Sequence, residues 1–179
     1  INDDLLSHAA NPLPVHLQDN TFRVFFSSRN AHNRSSVGFV DIDIIKQKVI
    51  SICDRAVIRY GDEDSFYAHG ISIGNIYEVN SKSYILFMAW QNHAGQHWRG
   101  DVGRLELINK KEMTITPNTP YMTSDDIDPI SLSYPWVIKD NDIYRMYYGS
   151  TLDWTSENGE MIHVIQYAES TNGEDWVKK

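Results

Sequence analysis

The chain has 179 residues, 41% of them hydrophobic and 12% aromatic, which suits one ordinary domain with a sizeable core and excludes disorder. Its formal net charge is −8 and no basic cluster exceeds the pair Lys110-Lys111, so no nucleic-acid partner is expected. No apolar run approaches the roughly 18 to 20 residues needed to span a bilayer, so no membrane partner is expected either. The single Cys53 precludes an internal disulfide, and it follows apolar Ile50 and Ile52 as a core residue would. With no leader-like segment visible, the expected location is cytoplasmic. The first residue is Ile rather than Met, which fits a processed or partial product.

In chain order, the first apolar segment is "PLPVHL" (12–17), followed by the polar turn Gln18-Asp19-Asn20 and the run "FRVFFSS". That run alternates Phe22, Val24 and Phe26 with Arg23, Phe25 and Ser27, the period of a strand. "SSVGFVDIDI" (35–44) and "KVISI" continue the unit. The second unit reads "GISIGNIYEV" (70–79), a turn at Asn80-Ser81-Lys82, "YILFMAWQ", "GDVGRLELI" (100–108) and "EMTIT". The third reads "YPWVIK" (134–139), a turn at Asp140-Asn141-Asp142, "YRMYYGS", "MIHVIQYAES" (161–170) and a start at Asp175-Trp176. Asn and Asp suit such turns because their side chains bond nearby backbone and tolerate left-handed geometry.

Aligning the first aromatic after each turn pairs Phe22, Tyr84 and Tyr144, spaced by 62 and 60 residues. No amphipathic helix of useful length stands out. Four-stranded meanders repeated along a chain predict an all-β protein, a β-propeller, against the alternative of a β-sandwich with chance similarity among its strands. The expected domain is 1–179, with about three blades at 8–55, 66–118 and 130–179. A ring needs about four to eight blades. The expectation is therefore that a further segment or an additional chain completes it.

Three phrases carry a resemblance: "SHAANPLPVHLQDNTFRVFFSSRNAHNRSSVGFVDIDI", "HGISIGNIYEVNSKSYILFMAWQ…WRGDVGRLEL" and "SLSYPWVIKDNDIYRMYYGS" with the later "MIHVIQYAES" and "NGEDW". They resemble the five-bladed propellers of the glycoside hydrolase family 43 and family 32 superfamily, over nearly the whole chain. The resemblance implies a five-bladed ring of which about two blades lie outside this chain, and a carbohydrate ligand. The ending "YAESTNGEDW" is similar to the family's recurrent outer hairpin, with Asn172 where Asp is usual. A second departure is Phe66-Tyr67 before Gly70, where relatives usually read Phe-Asp; a catalytic role of that Asp is then missing here or moved to Glu63 or Asp64.

In such propellers the innermost strands line a funnel, and their entrances here fall at 7–14, 62–73 and 125–136. Glycoside hydrolysis usually needs two carboxyl groups, one to donate a proton and one to activate water or attack the sugar. Acids stand at two entrances: Asp62, Glu63 and Asp64, then Asp125, Asp126 and Asp128. Asp128 in "DPISLSYPWV", Asp64 and Glu160 are the candidate catalytic residues; the alternative is that these acids are solvated or form Asx turns. Candidate substrate-binding residues are His8 and His69 at the entrances, Arg29 and Arg34 bracketing "RNAHNR", Trp98 and Arg99 in one loop, Trp154 in another, and Tyr134. Guanidinium groups grip carboxylates or paired hydroxyls, and indoles pack on sugar C–H faces. His163, on an outer strand, reads as structural. The histidine spacing matches no zinc motif, and no phosphate loop, dinucleotide fingerprint or nucleophile elbow is present, so neither metal nor cofactor is expected. The function expected is a carbohydrate-active protein, a glycoside hydrolase with paired carboxylates in the funnel. The alternatives are a non-catalytic sugar-binding or scaffold propeller, or an enzyme of polysaccharide or nucleotide-sugar assembly.

Overall fold

A computed structural model of the chain describes residues 2–115, 117–155, 157–158 and 160–179. Twelve strands and no helix occur among them. The first four are β1 (Ser7–Gln18), β2 (Thr21–Arg29), β3 (Ser35–Asp43) and β4 (Lys48–Ile52). The next four are β5 (Gly70–Val79), β6 (Lys82–Gln91), β7 (Arg99–Ile108) and β8 (Glu112–Ile115). The last are β9 (Ser131–Asp140), β10 (Ile143–Asp153), β11 (Ile162–Ser170) and β12 (Val177–Lys178). Each group is an antiparallel meander in which consecutive strands pair. A single parallel bridge, Ser35 to Gly70, links the first two sheets, and the third stands separate. This is the blade arrangement of a β-propeller, with β1, β5 and β9 innermost and the ring of sheets left open.

The first hairpin of each blade sets the register. Its closing pairs are Gln18 with Thr21, Val79 with Lys82 and Asp140 with Ile143. The first loop residue is left-handed in every case: Asp19 (φ 46°), Asn80 (φ 50°) and Asn141 (φ 54°). Asn and Asp are the non-glycine residues that bear this conformation most cheaply. These positions make the repeat a constant 61 residues. The aromatic alignment with spacings of 62 and 60 is thereby corrected. Ser83, not Tyr84, is equivalent to Phe22 and Tyr144, and Tyr84 is equivalent to Arg23 and Arg145. A one-residue slip matters because it transfers every side chain to the opposite face.

With the register corrected, the faces fall into order. Leu13, Phe25 and Val37 of the first blade pack against Ile73, Ile85 and Phe87 of the second. Tyr84, Leu86 and Val102 on the other side of the second blade pack against Leu132, Met146 and Tyr148 of the third. The middle blade is therefore apolar on both faces. Burying Phe25 or Phe87 completely stabilises by roughly 1.5–3 kcal/mol each. On the third blade Tyr147 pairs across with Trp136 and Tyr167, and this row stays exposed.

Polar clamps complete the sheets. Arg23 Nε and Nη2 donate to the two carboxylate oxygens of Asp41 at 2.8 Å each, Ser51 Oγ donates a third bond, and the guanidinium lies 3.7 Å over the Phe39 ring. Arg104 is held between the rings of Tyr84 and Tyr121, 4.4 Å from each, and pairs with Glu174. Glu174 sits in the turn where Asn172 Oδ1 accepts the N–H groups of Glu174 and Asp175. Asn172 thus serves that turn as an Asp would.

Arg23, with help from Ser51 and the Lys111 charge, holds the Asp41 carboxyl below its ordinary value of 3.8. A depressed carboxylate stabilises the fold fully above its unfolded value and loses that contribution as pH falls through the folded one. Asp41→Asn leaves Arg23 buried without its charge partner, which costs about 3 kcal/mol at neutral pH. Urea unfolding is expected to show that loss at pH 7 and a much smaller difference from wild type near pH 2.

Candidate functional site

The site begins with a break in each innermost strand. Two residues oppose one at Asn11-Pro12 against Phe26, at Gly74-Asn75 against Leu86 and at Tyr134-Pro135 against Tyr148. Such bulges re-aim side chains at the rims of sheets. Asn11 (φ 55°) and Tyr134 (φ 47°) are both left-handed and both precede proline. For a bulky residue such as Tyr this is a genuine outlier, so the backbone spends energy to aim Tyr134 outward. At Gly74 a Cβ would lie 2.3 Å from the Pro135 carbonyl oxygen, so only glycine lets β5 approach β9 this closely. Asn75 then bridges the two strands, donating to the Val137 carbonyl at 2.6 Å and accepting its N–H at 2.7 Å. The bulges meet around a small cavity of about 140 Å³.

Beside that floor opens a larger cleft of about 600 Å³, and Tyr134 lines both. Its walls include Arg29, Ser72, Trp90, Trp98, Tyr134 and His163. The repeat places Arg29 and Trp90 at equivalent ends of β2 and β6. Trp90 is fixed by its indole N–H, which donates to Ser35 Oγ at 3.2 Å, and the Arg29 guanidinium lies 5.7 Å from its ring centre. Trp98 is held by other rings: it stacks on His163 at 6.2 Å and meets Trp154 edge-on at 5.1 Å, and His97 stacks on Trp154 at 4.2 Å. These contacts lock the loop before β7 to the loop after β10. No carboxylate lines the cleft among the described residues.

The structure gathers some of the residues expected from sequence and separates others. Arg29, Trp98 and Tyr134 share the cleft. Trp154 supports Trp98 from behind. Arg34 lies 5.1 Å over the Tyr60 ring. His69, close to Arg34 and 6.0 Å from Trp90, accepts the Asn92 N–H on Nδ1 at 3.2 Å. Arg99 turns away to Asp101 and Thr123, at 3.3 and 2.9 Å. His8 is exposed beside Ser7, outside both cavities. Asp64 is exposed on a turn, and Glu160 is exposed before β11 with its N–H bonded to Asn158.

Asp128 is fully buried, away from the cleft walls. Its Oδ2 accepts the Tyr148 hydroxyl at 2.8 Å and faces Lys178 Nζ at 2.7 Å, while Oδ1 is buried without a hydrogen-bond partner. Burial, reinforced by that bond to Asp128, pushes the Tyr148 hydroxyl far above its ordinary value. Asp125 is an Asx-turn former, accepting the N–H groups of Ile127 and Asp128 at 3.0 Å each. Lys178 on β12 thus pins the loop that leads into β9.

Sequence reasoning missed Trp90 and His163. Trp90 was recoverable as the residue 61 positions after Arg29. His163 read as structural because it lies on an outer strand; it does brace Trp98, and it also lines the cleft. It pairs with Thr151 at the start of β11, which in a hairpin lies at the same end as the close of β10. The first residues of an outer strand therefore reach the cleft.

No family model matches the chain. An uncharacterized protein of Mycobacterium tuberculosis, found in two strains, is 36% identical over 174 residues, covering 97% of this chain. The chain spans 58% of the length of those relatives. Among solved structures, a glycoside hydrolase superposes with a TM-score of 0.70 at 14% identity, covering 93% of this chain and 54% of its own. Sucrose-6-phosphate hydrolase from Lactobacillus gasseri gives 0.70 at 15% identity, covering 95% and 33%. A family 117 glycoside hydrolase from Zobellia galactanivorans gives 0.70 at 11% identity, covering 96% and 55%. At these identities the chain shares their fold.

Two measurements follow from the site. Burial, Arg34 and His93 hold the His69 imidazole below its ordinary value of 6.5. Because the unfolded chain takes up that proton first, stability attached to neutral His69 is complete above about pH 6.5 and is lost as pH falls from there toward the folded value. An NMR titration is expected to place His69 below 6.5, and Arg34→Gln to move it upward. Asp128→Asn removes one of the two carboxylates of Lys178, leaving Asp125 Oδ2 at 2.9 Å, and is expected to cost about 2 kcal/mol in denaturant unfolding.

Proposed function

We propose that this chain forms the ligand-bearing part of a carbohydrate-active β-propeller related to the glycoside hydrolase family 43 and 32 propellers, and that its cleft binds a sugar. The observation that carries the reading is the convergence of Trp90, Trp98, Tyr134 and Arg29 on one cleft of about 600 Å³. That volume lies within the roughly 300–1,000 Å³ of small-molecule sites. Flat aromatic faces match the C–H faces of sugar rings, and a guanidinium supplies directed hydrogen bonds. Both tryptophans are braced by neighbours, so little ordering is needed when a ligand arrives.

The complete ring in this reading has five blades. The support is arithmetic: a 61-residue repeat, and relatives in which the matched 174 residues make up 58% of the length, leaving room for about two further repeats. The exposed row of Trp136, Tyr147 and Tyr167 takes the face of a following blade.

Binding is favoured over hydrolysis by this chain's own acids because Asp128, Asp64 and Glu160 do not share the cleft. A hydrolytic role centred on Asp128 is a second reading, favoured by its unbonded Oδ1. Calorimetry or tryptophan fluorescence with a panel of oligosaccharides tests both. The expected result is saturable binding without release of reducing ends, weakened roughly tenfold or more by Trp98→Ala, which corresponds to about 1.4 kcal/mol. Binding by no member of the panel rejects the sugar site. Released reducing ends that vanish in Asp128→Asn, in protein that remains folded, establish the second reading instead.

A further inference from the structure

The charge at the cleft runs against the charge of the chain. The sequence carries 24 acidic residues against 16 Lys and Arg. No acid lines the cleft among the described residues, whereas Arg29 does. Most arginines are already engaged: Arg23 with Asp41, Arg59 with Asp4, Arg99 with Asp101, Arg104 with Glu174, and Arg145 with Asp140 and Glu169. Arg29 has no carboxylate partner among the described residues.

Arg29 is also held for use. It closes β2, where its backbone pairs with Ser7 on one side and Ser35 on the other. The loop after it is stiffened by Asn30, whose Oδ1 accepts the N–H groups of His32 and Arg34 at 2.9 Å each. Trp90, fixed by Ser35, lies alongside the guanidinium. A cation beside an indole keeps its N–H fork free for a ligand. The other polar wall groups, Asn33, Ser72, Asn92, Tyr134 and His163, can all donate hydrogen bonds. Paired hydroxyls of a neutral sugar can also accept the two donors of that fork, but only a carboxylate, phosphate or sulfate both accepts the two parallel bonds and neutralises the charge.

We infer that the ligand of this cleft is an anionic saccharide, whose oxyanion seats on the Arg29 guanidinium while its ring packs between Trp90 and Trp98. The inference rests on the reading of the cleft as a sugar site. It adds the class of sugar: a uronate, or a sugar bearing a phosphate or sulfate ester.

The test is a matched series measured by calorimetry on the whole chain: galacturonate oligosaccharides, glucose 6-phosphate and glucose 6-sulfate, each beside its uncharged parent. At least one anionic member is expected to bind roughly tenfold or more tighter than its parent, with the gap narrowing as salt is raised. The member that does so identifies the oxyanion. Arg29→Gln is expected to bring the anion-to-parent ratio close to one, and Arg29→Lys to restore part of it. Arg55→Gln, which changes an arginine remote from the cleft, is expected to leave the ratio unchanged. Parents that bind as tightly as their anions overturn this inference and leave the sugar site standing. A ratio that survives Arg29→Gln in protein with a wild-type melting temperature overturns the assignment to Arg29. Absence of binding by both anions and parents overturns the sugar site and this inference together.

Discussion

A left-handed residue at one fixed place in three hairpins sets everything else in this protein. Asp19, Asn80 and Asn141 turn the chain between the innermost strand and its neighbour, and each does so in two residues. A turn that short fixes the closing pair of the hairpin, and register decides which side chains face which neighbour. The constant repeat, the two apolar interfaces and the alignment of Arg29 with Trp90 all follow from it. An extra residue in one of these loops would turn a core face to solvent.

The stacking of blades then demands an exact fit that the strands meet unevenly. The middle blade has neighbours on both faces and packs apolar side chains on each, with Ile85 where the first blade has Val24 and the third has Met146. The position before it separates the blades by environment: Arg23 is buried against Asp41, Tyr84 is packed on Arg104, and Arg145 is half-exposed between Asp140 and Glu169. The innermost strands cannot remain regular where they crowd together, and the bulges at Asn11-Pro12, Gly74-Asn75 and Tyr134-Pro135 relieve that crowding. The same irregularity turns Tyr134 toward solvent, so the cleft and the packing of the inner strands share one cause.

Charge is distributed by the same logic. Asp41, Asp101, Asp128 and Glu174 are each committed to a cation or hydroxyl that ties one strand or loop to another. Asp41, Asp101 and Asp128 are buried, and buried charges persist only when paired and hydrogen-bonded, so these three and the partly exposed Glu174 act as clamps. Committing acids to clamps leaves the cleft with a free guanidinium and braced aromatic rings in a chain that is acidic as a whole.

The all-β class, the order of the strands and the repeated meander were legible in the residues, because alternation and Asn/Asp turns are local signals read over a few positions. Arg29, Trp98 and Tyr134, singled out in the residues, do line one cleft. The phase of the middle unit was not legible: Tyr84 is the first aromatic after its turn, but the turn itself, not the aromatic, sets the count. Nor could the sequence separate Asp128 from a solvated acid or place His163 at the cleft. Burial by Tyr148 and Lys178, and pairing with Thr151, are contacts across strands distant in sequence. Local chemistry determined which elements form; only the packing of blade on blade decided which of their polar side chains are buried in clamps and which line the cleft.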